Sequence, residues 1–232
     1  MVGTMLIEVF QDFVCPWCFI GKRRLERALA ERPRLPLEVS WRPYQLNPNI
    51  PAAGMDRRAY MAAKFGGVER AVQVYAMVAE TAARDGLTLN LNAITRTSNT
   101  LDAHRLLRFL TGAGIDASAA ADALFSAYFQ RGMDLGRHEV LAAVAADMGA
   151  DPQAAHDYLA GDQDRAAVRA ADMSARQMGI QAVPCYVFGG RFALSGAQEP
   201  NVFLPLFDLA EAVAETEFRP ESRTPAAPAL TG

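Results

Sequence analysis

Apolar positions recur along this chain with two periods, and the period changes twice. Met5-Leu6-Ile7-Glu8-Val9-Phe10 is a short apolar run of strand length. From Cys15 to about Ala30, Phe19, Ile20, Leu25, Ala28 and Leu29 fall at helical spacing, with Lys22, Arg23, Arg24 and Arg27 on the polar side. Pro33 and Pro36 end that helix, and Leu37–Trp41 alternates as a second strand. Strand, helix, strand predicts a βαβ unit.

From about Asp56 to Met178 the period is helical throughout, and Ala is abundant, which favours helix. The pattern predicts helices over 57–65, 69–85, 99–111, 117–130, 137–147, 152–159 and 163–178. Asp151-Pro152 reads as an N-cap followed by Pro at the first helical position. Gly149, Gly161 and Gly179 stand where C-terminal glycines would. Strand character returns over 183–188, and Gly189-Gly190 sets a tight turn into a partner strand over 191–194. A last amphipathic helix over 201–216 contains Pro205, which predicts a late start or a bend. The Pro- and Ala-rich end, 217–232, is expected to be disordered. Together these elements predict an α/β fold: a split domain over 1–50 and 179–216, with a large all-helical insertion over 51–178.

Composition narrows the classes. Hydrophobic residues make up 51% and charged residues 21%, ordinary globular usage that excludes a disordered or collagen-like chain. The balance of 23 Lys and Arg against 26 Asp and Glu gives a net charge of −3, so no nucleic-acid partner is expected. No apolar run is long enough to span a bilayer, so no membrane partner is expected either. The first residues carry no basic stretch and meet Glu8 early, which does not read as a secretory signal; the expectation is a cytoplasmic protein.

Three cysteines, Cys15, Cys18 and Cys185, are too few and odd in number for a disulfide framework. Two of them form Cys15-Pro16-Trp17-Cys18 at the junction of the first strand and the first helix. Sulfurs at i and i+3 in a first helical turn are close enough to cycle between dithiol and disulfide. A helix N-terminus favours an anion, which lowers the cost of a Cys15 thiolate, the attacking species. Pro16 suits the first turn because its missing N–H would go unpaired anyway. Cys18, one turn in, suits the resolving role. The competing reading is half a zinc site, but Cys185, His104, His138 and His156 match no finger spacing, so no metal is expected.

Other residues divide between a site role and a packing role. Pro184 at the mouth of a buried strand is out of place unless the strand is just beginning or the Val183–Pro184 bond is cis; beside a C-x-x-C the cis reading is preferred. Trp17 is expected to be exposed at the site, able to contact an apolar peptide or glutathione. Trp41 reads as strand core or cleft edge. His104 either lines a substrate cleft or bonds a main-chain carbonyl. Cys185 reads as a small buried residue rather than a third redox thiol. Asp12 could accept a proton from the buried thiol, though an acid at a strand end is usually solvated.

Several segments, in one order, resemble the DsbA family of thioredoxin-fold proteins, and within it the FrnE-like branch. They are Asp12-Phe13-Val14-Cys15-Pro16-Trp17-Cys18, Tyr44-Gln45-Leu46-Asn47-Pro48, Asn99 to Leu106, Val183-Pro184 and Ser195-Gly196-Ala197-Gln198. The resemblance implies a thioredoxin fold interrupted by helices and thiol–disulfide oxidoreductase activity on protein or small-molecule disulfides. It implies Cys15 as nucleophile, Cys18 as resolving thiol and Pro184 as the cis-proline. Pro16, Trp17, Val183 and His104 are then the expected substrate contacts. No bound cofactor is implied beyond the redox-active disulfide, with glutathione as an expected co-substrate. The same branch resembles 2-hydroxychromene-2-carboxylate isomerases and kappa-class glutathione transferases, which typically place Ser at the Cys15 position. The alternative is therefore a glutathione-dependent isomerase or transferase acting on small aromatic substrates; retention of both cysteines favours the dithiol.

Overall fold

Two parallel strands need a crossover, and here a helix supplies it. In a computed structural model that describes residues 4–217, β1 (Met5–Gln11) runs into α1 (Pro16–Ala30), which returns the chain to β2 (Leu37–Pro43) in parallel with β1. The alternation of β1 follows from its place in the sheet: Ile7 and Val9 are buried and Leu6 is exposed. Near the C-terminus, β5 (Cys185–Phe188) pairs antiparallel with β1, and β6 (Phe192–Ser195) pairs antiparallel with β5. The sheet order is β2-β1-β5-β6, so chain ends far apart in sequence meet at its centre. Gly189 and Gly190 both have positive φ, 55° and 69°, in the three-residue turn, 189–191, that joins the two strands.

Between β2 and β5 lie the helices: α2 (Arg57–Phe65), α3 (Val68–Arg84), α4 (Leu101–Gly112), α5 (Ala117–Phe129), α6 (His138–Asp147), α7 (Pro152–Ala160) and α8 (Arg165–Gln177). The whole is a thioredoxin fold carrying a large all-helical insertion. One element has no counterpart in the hydropathy pattern. Met55–Asp56 (β3) and Arg96–Thr97 (β4) pair antiparallel before α2 and before α4, and strands of two residues are too short to show a period.

The insertion and the sheet share one hydrophobic cluster. Phe13 and Phe19 meet Phe125 of α5 at ring separations of 5.1 and 5.2 Å, so the segment bearing the cysteines packs directly on the helical block. On the other face, α9 (Pro200–Glu217) places Phe203 against Tyr186 and Phe207 against Phe188. The helix starts at Pro200, not late, and carries Pro205 inside it. Pro205 and Asn201 are both exposed, so the carbonyl left without its N–H partner meets water rather than the core. The segment 218–232, expected to be disordered, lies outside the described residues.

Candidate active site

The chain turns sharply from β1 into α1 through Asp12-Phe13-Val14. The N–H of Cys15 donates to the Asp12 carbonyl at 3.0 Å, and the N–H of Cys18 donates to the Cys15 carbonyl at 3.1 Å. Cys15 occupies the N-cap in an extended conformation and Pro16 follows at the first helical position. No side chain caps this helix and no acid lies in its first turn, so its unpaired N–H groups are left to the Cys15 sulfur.

The two thiols differ in kind. Cys15 is lowered from its ordinary range chiefly by a hydrogen bond from the Cys18 thiol; burial opposes this, and the Cys18 N–H and the Lys64 charge assist. Cys18 is pushed well up, first by burial and then by donating to Cys15. Cys15 is therefore the more acidic of the two thiols, and Cys18 the one that keeps its proton.

Opposite the pair, the Val183–Pro184 bond is cis, and Cys15 Sγ lies 3.6 Å from the Val183 carbonyl oxygen. A further residue, unmarked by any motif in the sequence, makes this contact possible. A Cβ on Gly21 would sit 2.9 Å from Pro184 Cγ and 2.2 Å from Tyr186 Oη, so only glycine lets α1 approach the proline. The loop after β6 is tied to the same place. Gly196 N–H donates to the Pro184 carbonyl at 2.8 Å, and Arg24 donates to the Ala197 carbonyl at 2.7 Å.

Two ionisable side chains lie behind the cysteines. His104, an expected substrate contact, is 2% exposed and stacked 4.9 Å from Phe13; it is absent from the cavity beside Cys15 and instead borders a cleft between β2 and α4. Its place follows from α4, whose buried face carries Leu101, His104 and Leu107 together toward the sheet. Burial drives His104 down to about 3, so it is a neutral imidazole; one ring nitrogen bonds the Tyr44 carbonyl, while Nε2 faces Asp12 Oδ1 at 3.8 Å. Asp12, expected to be solvated, is fully buried, because the 44–48 loop closes over it. The N–H of Leu46 donates to its Oδ2 at 2.7 Å. That loop is held in turn by α8, where Asp172 accepts from Gln45 N–H at 2.7 Å and Arg176 stacks over Tyr44 at 4.3 Å. Burial raises Asp12 to about 6 despite the bonds from Leu46, Thr100 and Val14.

In front of Cys15 is a cavity of about 90 Å³, closed by α2 and α3. Pro16 and Trp17 line it, with Leu46, Arg57, Tyr60, Met61, Lys64 and Tyr75 among the rest. Trp17 is half-buried here, not exposed: its ring rests against the cavity wall instead of standing in solvent. Trp41 and Cys185 are buried strand residues, and burial raises the Cys185 thiol. Among the described residues no cluster of three or more His, Cys, Asp or Glu is arranged to hold a metal, and no helix is long and apolar enough to cross a membrane.

This arrangement is matched by a family model. Residues 6–207, nearly the whole described chain, match the DSBA-like thioredoxin domain. The chain belongs to that family. Among solved structures, the probable DsbA oxidoreductase of Streptomyces coelicolor is similar at 29% identity and a TM-score of 0.80, covering 97% of this chain and 94% of that one. A 2-hydroxychromene-2-carboxylate isomerase is similar in fold at 15% identity and a TM-score of 0.65, over 91% of this chain and 98% of the other. The cytosolic disulfide reductase DsbM of Pseudomonas aeruginosa, in a structure with GSH, is similar in fold at 17% identity and a TM-score of 0.58, over 91% and 98%. A curated relative, the uncharacterized Bacillus subtilis (strain 168) protein YwbO, is 41% identical over 46 residues; the match spans 22% of that protein and 20% of this chain.

Proposed function

We propose that this chain is a thiol–disulfide oxidoreductase of the FrnE-like branch that cycles Cys15 and Cys18 against protein or small-molecule disulfides. The observation that carries the reading is the polarised pair, a Cys18 thiol donating to the more acidic Cys15 sulfur at a helix N-terminus, 3.6 Å from the Val183 carbonyl oxygen. The Cys15 thiolate attacks one sulfur of a substrate disulfide. A Cys15–substrate disulfide forms, the substrate's S–S bond breaks, and its other sulfur leaves as a thiolate. Cys18 then gives up its proton and attacks Cys15 Sγ. The substrate's second thiolate leaves, and the enzyme holds the Cys15–Cys18 disulfide. Run in reverse, the same steps oxidise a dithiol.

Asp12 is the acceptor for the Cys18 proton. Its main-chain N–H points at the Cys18 sulfur, its charge acts on both thiols, and its carboxyl titrates near 6. A carboxylate poised close to neutrality can take a proton and return it. Val183 offers its carbonyl, and Pro16 and Trp17 offer apolar surface, to the incoming chain. In this reading 1–50 and 179–216 form the thioredoxin-like unit that carries the chemistry, with 51–178 as its helical partner. Glutathione serves as the co-substrate that recycles the site in the cytoplasm. A glutathione-dependent isomerase or transferase would leave the Cys18 thiol without a task.

Equilibration in glutathione buffers of graded ratio, followed by alkylation and mass measurement, tests this. Cys15 and Cys18 are expected to convert together to an intramolecular disulfide. A stable glutathione adduct on Cys15, with Cys18 still free, would overturn the dithiol cycle and favour the isomerase or transferase.

A further inference from the structure

Four cationic side chains are buried among the described residues: Lys22, Arg24, Arg57 and Arg105. Three have carboxylate partners. Lys22 meets Glu26, and Arg24 meets Asp85 and Glu199, each at 2.7 Å. Arg105 meets Asp102 at 2.8 Å, and four main-chain carbonyls take its remaining donors. Arg57 is the exception. Its donors go to the hydroxyls of Thr97 and Tyr128, each at 3.2 Å, and of Tyr75. The Tyr75 and Tyr128 rings lie 5.1 and 5.8 Å from its guanidinium. None of these partners supplies negative charge, since burial raises Tyr75 to about 12 and Tyr128 further. A buried cation with only neutral partners is costly, and an anion that reached it would be strongly held.

Arg57 opens on the cavity beside Cys15. At the exposed side of the same cavity, Lys64 likewise has no carboxylate partner among the described residues; its ammonium lies over Tyr60 and Phe65 at 5.6 and 5.8 Å. Between the cations and the sulfur the wall is apolar, made by Val14, Met61, Val74 and Val78. A cavity of about 90 Å³ has room for several waters, and so for a short carboxylate arm.

We propose that this cavity is an anion subsite built by Arg57 and Lys64, and that it selects small disulfides and thiols carrying a carboxylate a few bonds from sulfur. The inference rests on the dithiol reading above. The carboxylate docks on Arg57, its neighbouring methylenes lie along the apolar wall, and the attached sulfur is delivered to Cys15. The ion pair is then made with the substrate instead of within the fold.

Three disulfides of matched length test it: 3,3′-dithiodipropionate (anionic), bis(2-hydroxyethyl) disulfide (neutral) and cystamine (cationic). The readout is the rate at which the reduced protein is consumed, counted as Cys15 mixed disulfide plus Cys15–Cys18 disulfide, by acid quench and mass. Each rate is divided by that of dithiothreitol with the same compound, which removes intrinsic reactivity. The normalised anionic-to-neutral ratio is expected to be about ten, one charge-assisted pair. Lys64→Gln is expected to lower it about threefold and Arg57→Gln to bring it near one. Arg57→Gln also removes internal hydrogen bonds, so Lys64→Gln carries the test in a fold with its buried contacts intact. A ratio near one in the unmodified protein, or one indifferent to both substitutions, would overturn the subsite and leave the oxidoreductase reading standing. Failure of all three compounds to react with Cys15 would overturn that reading and the subsite together.

Discussion

Asp12 and His104 lie behind the cysteine pair; Arg57 and Lys64 lie in front of it. Both sides are rich in ionisable groups, yet burial treats them differently. Behind the pair it drives the groups toward neutrality: His104 falls to about 3 and Asp12 rises to about 6. In front, the Lys64 charge helps to lower Cys15. The difference adds to a bias within the pair itself: Cys15 is lowered chiefly by the hydrogen bond from Cys18, with Lys64 assisting against the charge of Asp12, whereas Cys18 is pushed up first by its burial. A dithiol with equal surroundings on both sides would have no preferred attacker.

The sharpest break of this asymmetry is removal of either sulfur. Cys15→Ser is expected to abolish mixed-disulfide formation with any substrate, whereas Cys18→Ala is expected to trap substrate on Cys15; intact-protein mass separates the two. Equal residual exchange in both variants would mean that the thiols are interchangeable.

Asp12→Asn tests the rear side. The folded-state value of Asp12 is raised from 3.8 to about 6. Its contribution to stability is therefore complete below about 4 and is lost as the pH rises through about 6. The variant should thus be more stable than the parent at pH 8, by about 3 kcal/mol, with the gain gone at pH 4; urea unfolding at the two pH values measures it. Resolution of the Cys15 mixed disulfide should slow by about tenfold or more at pH 7. A gain in stability with no loss of rate would show that the buried acid does not handle the Cys18 proton.

The smallest effect belongs to the front. Lys64→Gln removes one partly solvated charge, so alkylation of Cys15 at pH 7 should slow by roughly twofold. An unchanged rate would mean that the front cations act on substrate alone.

The sequence displayed the frame more openly than the site. Amphipathic spacing located α2 at Arg57–Phe65 and placed the other helices of the block within a few residues of their ends. Gly149 and Gly179 take positive φ at helix ends as the pattern implied, but Gly161 does not, its φ being −82°. The C-x-x-C and the Val183–Pro184 pair were visible because their chemistry lies in adjacent residues. The burial of Asp12 was not visible. It depends on Leu46, on the α8 residues that hold that loop, and on His104 arriving from α4, all distant in sequence. The isolation of Arg57 was hidden for the same reason: a missing counter-ion leaves no mark on the arginine's own neighbours in the chain.

The pairing of Met55 with Thr97 brings two points in the chain side by side, and everything between them leaves and rejoins the fold at one place. Arg57, Tyr60, Met61, Lys64 and Tyr75 all belong to that stretch; Cys15, Cys18 and Pro184 do not. The cysteines and the two cations of the cavity thus come from separate passages of the chain. A lineage could exchange the 55–97 passage wholesale, as a cassette with adjacent ends, while both cysteines and the cis-proline stayed in place.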